Sequence, residues 1–327
     1  MSRPSIKDVA KKAGVGVGSV SRYLNTPEKV SEKMRRKVEA AIKELGYTPN
    51  EIARNLKTKN PRNVALLLPS IWHSFFSGFA YYVEAYLEEA GYKLMLCNSD
   101  GHPEKELYYL NMLKEKKVSG IITISYSELD DYINSSLPII SFDRHFKDDV
   151  SCITSDNYGG GELAAQELIR TGCKTLAYVG TYNTRIDTEV KYRKEGFKDY
   201  AEKHNVPVYL YLEEDPIRDY QVFLKGFFDR YRGVVDGVFV ENDNLAKKLI
   251  MMAQEEGIKI PDELSVIGYD GVEDEFFRPK LSTIVQPLDL LAKTTVSKLI
   301  PIIEKKNKTV ERIVVPVTFR KGETTRP

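Results

Sequence analysis

Two short amphipathic segments near the amino terminus constrain what the first 25 residues can fold into. In 6–13 the apolar residues recur at the spacing of one helix face. Ser5 and Asp8 have the spacing of a capping box at the start of this helix, and Gly14 is placed to end it. A second helical pattern covers 17–24. Two short helices joined by a glycine turn predict a helix-turn-helix, a motif whose second helix enters the major groove of DNA.

Charge is distributed unevenly along the 327 residues, although the whole chain has a net charge of only +1. Residues 1–62 contain 15 Lys and Arg against 6 Asp and Glu and carry +9, whereas residues 63–327 carry −8. A basic segment that coincides with a helix-turn-helix indicates a DNA-binding domain attached to an acidic body. The alternative is a solvated helical face with scattered lysines.

A third helical pattern completes the amino-terminal region. It begins after Ser31 and ends at Leu45, just before Gly46. We therefore expect an all-α DNA-binding domain over 1–47. The next segment, 48–62, contains a two-turn helical pattern and a polar linker. Alone in water, a helix that short is marginal.

The rest of the chain alternates short β-branched segments with amphipathic helical patterns. This alternation predicts parallel sheets with helices on both faces, and the length suits two doubly wound sheets better than one. The expected class is therefore α/β, with one subdomain of about 63–157 and 287–319 and a second of about 158–286 and 320–327. The last strand is expected as one segment, 312–319.

Polar residues follow several of the predicted strands, where doubly wound sheets bind their ligands. Asp143, Asn242 and Asp270 each lie within two residues of the end of a predicted strand, Arg193 lies on a helix that follows a loop, and Phe75 follows the first strand. Carboxylates and amides bind vicinal hydroxyls, and Arg adds fixed donors. With an aromatic ring to stack on the C–H face of a sugar, the set predicts a site for a neutral polyol. Each of these residues could instead cap a helix or line a loop.

Motifs of catalysis and metal binding are missing from the sequence. It contains no G-x-S-x-G, P-loop or H-E-x-x-H motif, and its histidines and cysteines have no metal-ligand spacing. We therefore expect no catalytic residues, no metal and no cofactor. There is neither an apolar signal segment nor a run of membrane-spanning length, so we expect a cytoplasmic protein without membrane association.

Several segments, in the same order, resemble the LacI/GalR family of bacterial transcription regulators. They include IKDVAKKAGV at 6–15 and LSTIVQP at 281–287. The other matching segments are 20–25, 37–56, 155–157, 242–243 and 267–270. The resemblance implies a helix-turn-helix domain, a hinge helix and linker over 48–62, and a two-subdomain effector domain of the periplasmic-binding-protein type.

On the DNA side, the resemblance implies a homodimer on a palindromic operator of double-stranded DNA. Val17 and Arg22 would meet base edges, with Arg22 placed for a guanine, and Leu56 matches a leucine that the family inserts into the minor groove. Gly16 and Gly18 replace residues that usually cap this helix and read bases, so direct readout should be sparse. The implied DNA-contacting residues are Ser5, Val17, Ser19, Arg22, Asn25, Ala53 and Leu56.

On the effector side, the resemblance implies a small sugar between the two subdomains that changes operator affinity. The segments 138–144 and 155–158 are most similar to those of sucrose-operon and related sugar repressors, so sucrose, fructose or a related saccharide is expected. The wall of the cleft should differ from the usual one, because His73-Ser74 stands where the family often has Asn-Pro. The implied effector-binding residues are Phe75, Asp143, Arg193, Asn242, Asp270 and Leu288.

Other functions remain open from the sequence. Within the family, a corepressor or a protein partner could control the regulator instead of a sugar. A sugar-binding transport protein shares the two-subdomain body, and an enzyme could use the same scaffold. The helix-turn-helix argues against the transport protein, and the missing catalytic motifs argue against the enzyme.

Overall fold

The computed structural model describes residues 4–47, 61–134, 136–146, 150–182, 186, 188–306 and 309–327. The chain divides into two compact units, Met1–Pro61 and Arg62–Pro327. Each unit is described separately below. Within the described ranges, no helix is both long and apolar enough to cross a lipid bilayer.

The first unit contains the predicted helix-turn-helix. Its elements are α1 (Ile6–Ala13), α2 (Val17–Asn25), a 3-10 turn (Pro27–Lys29) and α3 (Glu32–Leu45). Val9, Val20 and Val38 are fully buried where the three α-helices meet. Gly14 and Gly46 end α1 and α3 in the left-handed backbone conformation, with φ of 64° and 60°. This arrangement confirms the predicted all-α amino-terminal fold.

The second unit contains alternating strands and helices. Its strands are β1 (Asn63–Leu68), β2 (Lys93–Asn98), β3 (Gly120–Thr123), β4 (Ile139–Phe142), β5 (Cys152–Ser155), β6 (Leu176–Tyr182), β7 (Val208–Glu214), β8 (Gly237–Val240), β9 (Ser265–Asp270), β10 (Ser282–Val285), β11 (Arg312–Val315) and β12 (Thr318–Arg320). Its helices are α4 (Ser74–Glu89), α5 (Pro103–Lys114), α6 (Asn157–Arg170), α7 (Lys191–Lys203), α8 (Tyr220–Tyr231), α9 (Asp243–Glu255) and α10 (Leu288–Ile303).

The strands form two six-stranded sheets, each of which is the centre of a subdomain. The first sheet has the order β11-β5-β4-β3-β1-β2, and its strand pairs are all parallel. The second has the order β12-β10-β9-β8-β6-β7, with β12 antiparallel to β10. This result confirms the predicted α/β class with two doubly wound sheets.

Helices cover both faces of each sheet. In the first subdomain, α4 and α10 pack on one face and α5 on the other. In the second subdomain, α6 and α7 cover one face and α8 and α9 the opposite one. The central strands, such as β3, β4, β5, β8 and β9, are therefore buried on both sides, which explains why most of their residues are apolar.

The chain passes between the subdomains at three places: after β5, after β10 and after β11. The third passage differs from the prediction of a single last strand over 312–319. Arg312–Val315 belongs to the first sheet and Thr318–Arg320 to the second. Pro316 lies between them, and because proline lacks a backbone N–H it interrupts the strand ladder at this point.

Candidate functional site

Four of the DNA-contacting residues that the resemblance implies lie on α2, namely Val17, Ser19, Arg22 and Asn25, and Ser5 lies at the start of α1. Val17 and Arg22 are exposed, and Ser19 is half-buried. Val20, between them, is fully buried and fixes α2 on the bundle. Ser5 caps α1, because its Oγ accepts a hydrogen bond from the backbone N–H of Asp8 at 3.4 Å. Val17 and Arg22 are therefore free to reach a DNA groove.

Two glycines leave α2 with few side chains for reading bases. Gly16 begins the helix without a side-chain cap, and a Cβ atom built on Gly18 would meet no atom within 4 Å. Packing therefore does not require a glycine at position 18. Asn25 is the last residue of α2. Ala53 and Leu56 lie outside the described residues, so their roles remain predictions.

In the second unit, a cleft of about 1140 Å³ lies between the two subdomains. It is at the carboxyl ends of β4, β8 and β9, the position expected for a ligand in doubly wound sheets. Five of the six implied effector-binding residues line it. They are Phe75, Asp143, Arg193, Asn242 and Asp270.

Arg193 lies deep in this cleft, with only 5% of its surface exposed. Its Nε donates to Asn157 Oδ1 and its Nη1 donates to the carbonyl oxygen of Glu241, both at 2.8 Å. Its guanidinium carbon is 3.7 Å from the centroid of the Tyr269 ring. The side chain is thus held rigidly on the second subdomain, with charge that can act on neighbouring carboxylates and on a ligand.

Close packing of α6 against α7 places Arg193. A Cβ atom on Gly161 would lie 2.1 Å from the Arg193 carbonyl oxygen, and one on Gly196 would lie 2.1 Å from the carbonyl oxygen of Tyr158. Only residues without a Cβ atom allow the two helices to approach this closely. The glycine run 159–161, which the sequence indicates only as the opening of a helix, therefore helps to position the cleft.

Asp143 faces Arg193 from the end of β4 and is 5% exposed. Its Oδ1 accepts hydrogen bonds from Thr154 Oγ1 at 2.6 Å and from Asn157 Nδ2 at 3.5 Å. Burial raises the pKa of Asp143 above its ordinary value, and the charge of Arg193 opposes that rise. Its backbone has φ of 53°, a left-handed conformation that is uncommon for a residue with a side chain.

One carboxylate oxygen of Asp270 has no hydrogen-bond partner among the residues that the structure describes. Its Oδ1 accepts from Gln286 Nε2 at 2.9 Å, whereas its Oδ2 is buried without a partner among the described residues. Burial raises the pKa of Asp270, and Arg193 counteracts this effect. Burial also raises the pKa of Asp243, helped by the nearby charge of Asp270. A buried oxygen without a partner at a cleft wall is suited to accept a ligand hydroxyl.

Asn242 and its neighbour Glu241 occupy the end of β8 in different ways. Asn242 Oδ1 caps α9 by accepting from the N–H of Leu245 at 2.9 Å, so half of its amide is already in use. Glu241 is 8% exposed, and its carboxylate accepts from the hydroxyl of Thr181 at 3.0 Å. Burial raises the pKa of Glu241 to about 7. The resemblance does not mark Glu241, and the only sequence signal for it is its place directly after a strand.

The apolar wall of the cleft is formed from α4. Phe75 is 3% exposed and stacks in a cluster with Phe79 and Phe142. Leu288, which the resemblance also places at this wall, does not line the cleft. It is the first residue of α10 and packs against α4 instead. The contact is close, because a Cβ atom built on Gly78 of α4 would lie 2.9 Å from Leu288 Cδ1.

Trp72 and His73 lie at the mouth of the cleft just before α4. Trp72 is 92% exposed and is the single tryptophan of the chain. The His73 ring lies 4.8 Å from that of Phe76, and its Nδ1 is buried without a partner among the described residues. Burial lowers the pKa of His73 to about 4, and the charge of Arg193 adds to this effect. His73 is therefore neutral at physiological pH.

The cleft offers hydrogen-bonding groups and aromatic rings to a ligand. Three buried carboxyl groups can accept or, when protonated, donate hydrogen bonds: those of Asp143, Glu241 and Asp270. Phe75 and Phe76 provide apolar surface beside them. Among the described residues, no group of three or more His, Cys, Asp or Glu side chains is arranged to hold a metal ion.

Comparison with solved structures supports the fold of both units. A periplasmic binding protein/LacI transcriptional regulator from Alkaliphilus metalliredigens, complexed with D-xylulofuranose, is 30% identical and superposes with a TM-score of 0.71 over 81% of this chain and 100% of that one. A lac repressor dimer bound to operator and an anti-inducer is 23% identical, with a TM-score of 0.85 over 100% of both chains.

Sequence comparison identifies the family. Residues 5–50 match the model of bacterial regulatory proteins of the lacI family, and 165–325 match a periplasmic binding protein-like domain. The sucrose operon repressor of Streptococcus mutans is 37% identical over 322 residues, 98% of each chain. The ribose operon repressor of Halalkalibacterium halodurans is 34% identical over 324 residues, 98% of this chain and 97% of that one. The chain therefore belongs to the LacI family of bacterial regulatory proteins.

Proposed function

We propose that this chain is a homodimeric repressor that binds a palindromic operator and whose operator affinity is changed by a saccharide in the cleft. The single observation that carries the proposal is the cleft, where Asp143, Arg193 and Asp270 converge in a chain that also contains a helix-turn-helix. One carboxylate oxygen of Asp270 has no partner there among the described residues. Such a repressor works on the bacterial chromosome, in the cytoplasm.

The DNA-binding part of the proposal rests on α2. Its exposed residues Val17 and Arg22 belong to a segment with a strong excess of positive charge. A positive segment supplies phosphate attraction, and an exposed arginine on a recognition helix can bind a guanine with two hydrogen bonds. Relatives named as repressors of the sucrose and ribose operons support the same function.

The effector part rests on the chemistry of the cleft. Asp143, Glu241 and Asp270 surround one deeply buried guanidinium, that of Arg193, which is already hydrogen-bonded on two of its nitrogens. An anionic group at this depth would meet three carboxyl groups, whereas hydroxyls can donate to them. We infer a neutral, polyhydroxylated ligand. Sucrose and fructose are the first candidates, because a sucrose operon repressor is 37% identical to this chain.

The operator half is tested by fluorescence anisotropy. The full-length protein is titrated onto a labelled promoter fragment that contains a palindrome and onto a scrambled fragment of the same length. The proposal predicts tighter binding to the palindrome, and affinity that falls steeply with salt because bound phosphates release counterions. Equal binding to both fragments would contradict sequence-specific regulation.

The saccharide half is tested by thermal unfolding with sucrose, fructose, ribose and cellobiose. A ligand that binds only the folded protein stabilises it by about 2.7 kcal/mol at a concentration 100 times its Kd. We expect at least one of these sugars to raise the unfolding temperature, and Asp270→Asn to remove that effect. No shift with any of the four sugars would contradict a saccharide effector of this kind.

A further inference from the structure

The two subdomains are linked by a contact at the edge of the cleft. The loop before α7 belongs to the second subdomain, and there Thr188 forms an isolated antiparallel bridge with Arg144 of the first. One residue further, the N–H of Glu189 donates to the carbonyl oxygen of Asp143 at 2.9 Å. The backbone that follows β4 is therefore bonded directly to the backbone that precedes α7.

A buried carboxylate strengthens this contact. Glu189 is 2% exposed, and its two oxygens accept from Nε and Nη2 of Arg312 at 3.0 and 2.8 Å. His145 Nε2 lies 2.5 Å from the same carboxylate. Arg312 is on β11 and His145 follows β4, so both partners belong to the first subdomain. A two-point arginine–carboxylate pair is among the stronger and more directional polar contacts in proteins.

The electrostatics of Glu189 agree with this geometry. Burial alone would raise the pKa of Glu189, but the hydrogen bonds and charges of Arg312 and His145 bring it below its ordinary value. Glu189 is therefore ionised at neutral pH and remains paired with Arg312. Removing Arg312 would leave a buried negative charge without its main partner.

The position of Glu189 connects two of the residues proposed to bind the effector. On one side its N–H holds the carbonyl group of Asp143. On the other side its own carbonyl oxygen accepts from the N–H of Tyr192 at the start of α7, one residue before Arg193. Neither Glu189 nor Arg312 lines the cleft, although Thr188 does. The contact can thus set the separation of Asp143 and Arg193 without touching a ligand.

We propose that Glu189 is a positioning residue, which holds the two subdomains in the arrangement that binds the effector through its contacts with Arg312 and His145. The inference rests on the proposed function, since the bound molecule is the proposed saccharide. It makes affinity for the saccharide depend on a charge pair outside the cleft. Related proteins that lack this pair would then bind their ligand in the same cleft, but the free energy needed to bring the two subdomains together would differ.

The first test needs no ligand. Hydrogen exchange by mass spectrometry is measured on the full-length protein and on Glu189→Gln and Arg312→Gln. We expect about tenfold faster exchange in segments 139–146 and 188–193 in both variants, with β1 and β8 unchanged, because loss of a strong local contact lowers the free energy of local opening by about 1.4 kcal/mol. Unchanged exchange in those segments, or a rise throughout the second subdomain, would overturn the positioning role.

The second test is a double-mutant cycle on saccharide affinity. The Kd for sucrose, fructose, ribose and cellobiose is measured from the change in fluorescence emission of Trp72. We expect each single variant to weaken binding about tenfold, and the double variant to bind no worse than either, because both changes break the same contact. The matched control is Glu273→Gln, which breaks the Glu273–Arg320 pair (3.4 Å) within the second subdomain and should leave affinity unchanged.

The outcomes separate the two proposals. If the wild-type protein binds a sugar but Glu189→Gln binds it equally well, the positioning role is wrong and the proposed function stands. If the double variant is weaker by the sum of the single effects, the two residues act independently and the positioning role is again wrong. If no sugar binds the wild-type protein, the saccharide part of the proposed function fails, and the exchange measurement alone decides for or against the contact.

Discussion

Replacing Arg193 by methionine removes a buried positive charge from the cleft while keeping a side chain of similar length. The change breaks the hydrogen bonds to Asn157 Oδ1 and to the Glu241 carbonyl oxygen, both 2.8 Å long. It also removes the charge that lowers the pKa values of Asp143 and Asp270. Removing one partner from a set of buried charges typically destabilises a protein by about 3–5 kcal/mol. We therefore expect Arg193→Met to lower the free energy of unfolding by about that amount.

The effect should depend on pH in a definite direction. Burial already raises the pKa of Glu241 to about 7 and raises those of Asp143 and Asp270, and loss of Arg193 would raise all three further. A carboxyl group whose pKa is higher in the folded state stabilises the fold fully below its unfolded pKa, and this contribution is lost as pH rises through the folded pKa. The difference between the variant and the wild type should therefore be largest near pH 8 and shrink toward pH 5.

Urea unfolding of the full-length protein at pH 8, 7 and 5 measures this difference. The control is Arg232→Met, because Arg232 pairs with Glu256 at 3.3 Å on the surface and a pair of that kind typically contributes about 0–1 kcal/mol. A loss below about 1 kcal/mol for Arg193→Met at pH 8 would refute the electrostatic account of the cleft. A loss that grows as the pH falls would refute it equally.

Three further changes have expected outcomes. Glu241→Gln removes a carboxyl group with a pKa of about 7, so the pH dependence of urea unfolding between pH 6 and 8 should become flatter; an unchanged profile would show that another group titrates there. Gly161→Ala places a Cβ atom 2.1 Å from a backbone oxygen of α7, so it should lower the free energy of unfolding by about 1–3 kcal/mol and weaken sugar binding. The control Gly18→Ala lies in α2 and meets no atom within 4 Å, so it should leave sugar binding unchanged and stabilise its helix by up to about 1 kcal/mol. An equal loss of stability for both variants in a denaturation series would contradict the packing argument. Arg22→Ala should cost about 1–3 kcal/mol at one symmetric pair of operator positions in an anisotropy series, and a uniform loss across all sequences would make it a phosphate contact.

Local patterns in the sequence were sufficient to predict the amino-terminal domain. The capping box of Ser5 and Asp8, the stop at Gly14 and the buried face around Val9 depend on residues three to eight positions apart, and each is present in the structure. The alternation of strands and helices similarly predicted two doubly wound sheets. These features are local, so one sequence contains most of the information that determines them.

Features that depend on distant residues could not be predicted in the same way. The single strand expected over 312–319 is two strands in different sheets, since strand pairing across the chain decides which sheet each half joins. Leu288 packs on α4 outside the cleft because of a glycine two hundred positions earlier, Gly78. The burial of Glu241 and its contact with Thr181 likewise depend on the packing of neighbouring strands. A sequence pattern contains none of these distances.

The central claim is that a saccharide in the cleft changes the affinity of this protein for its operator. The most direct measurement is the operator Kd of the full-length protein, by anisotropy of a labelled palindromic promoter fragment, with and without the sugar that most raises its unfolding temperature. Coupling between two sites is typically about 1–3 kcal/mol, so the Kd should change by roughly 5- to 150-fold. An operator Kd that stays the same at a saturating concentration of that sugar would contradict the claim.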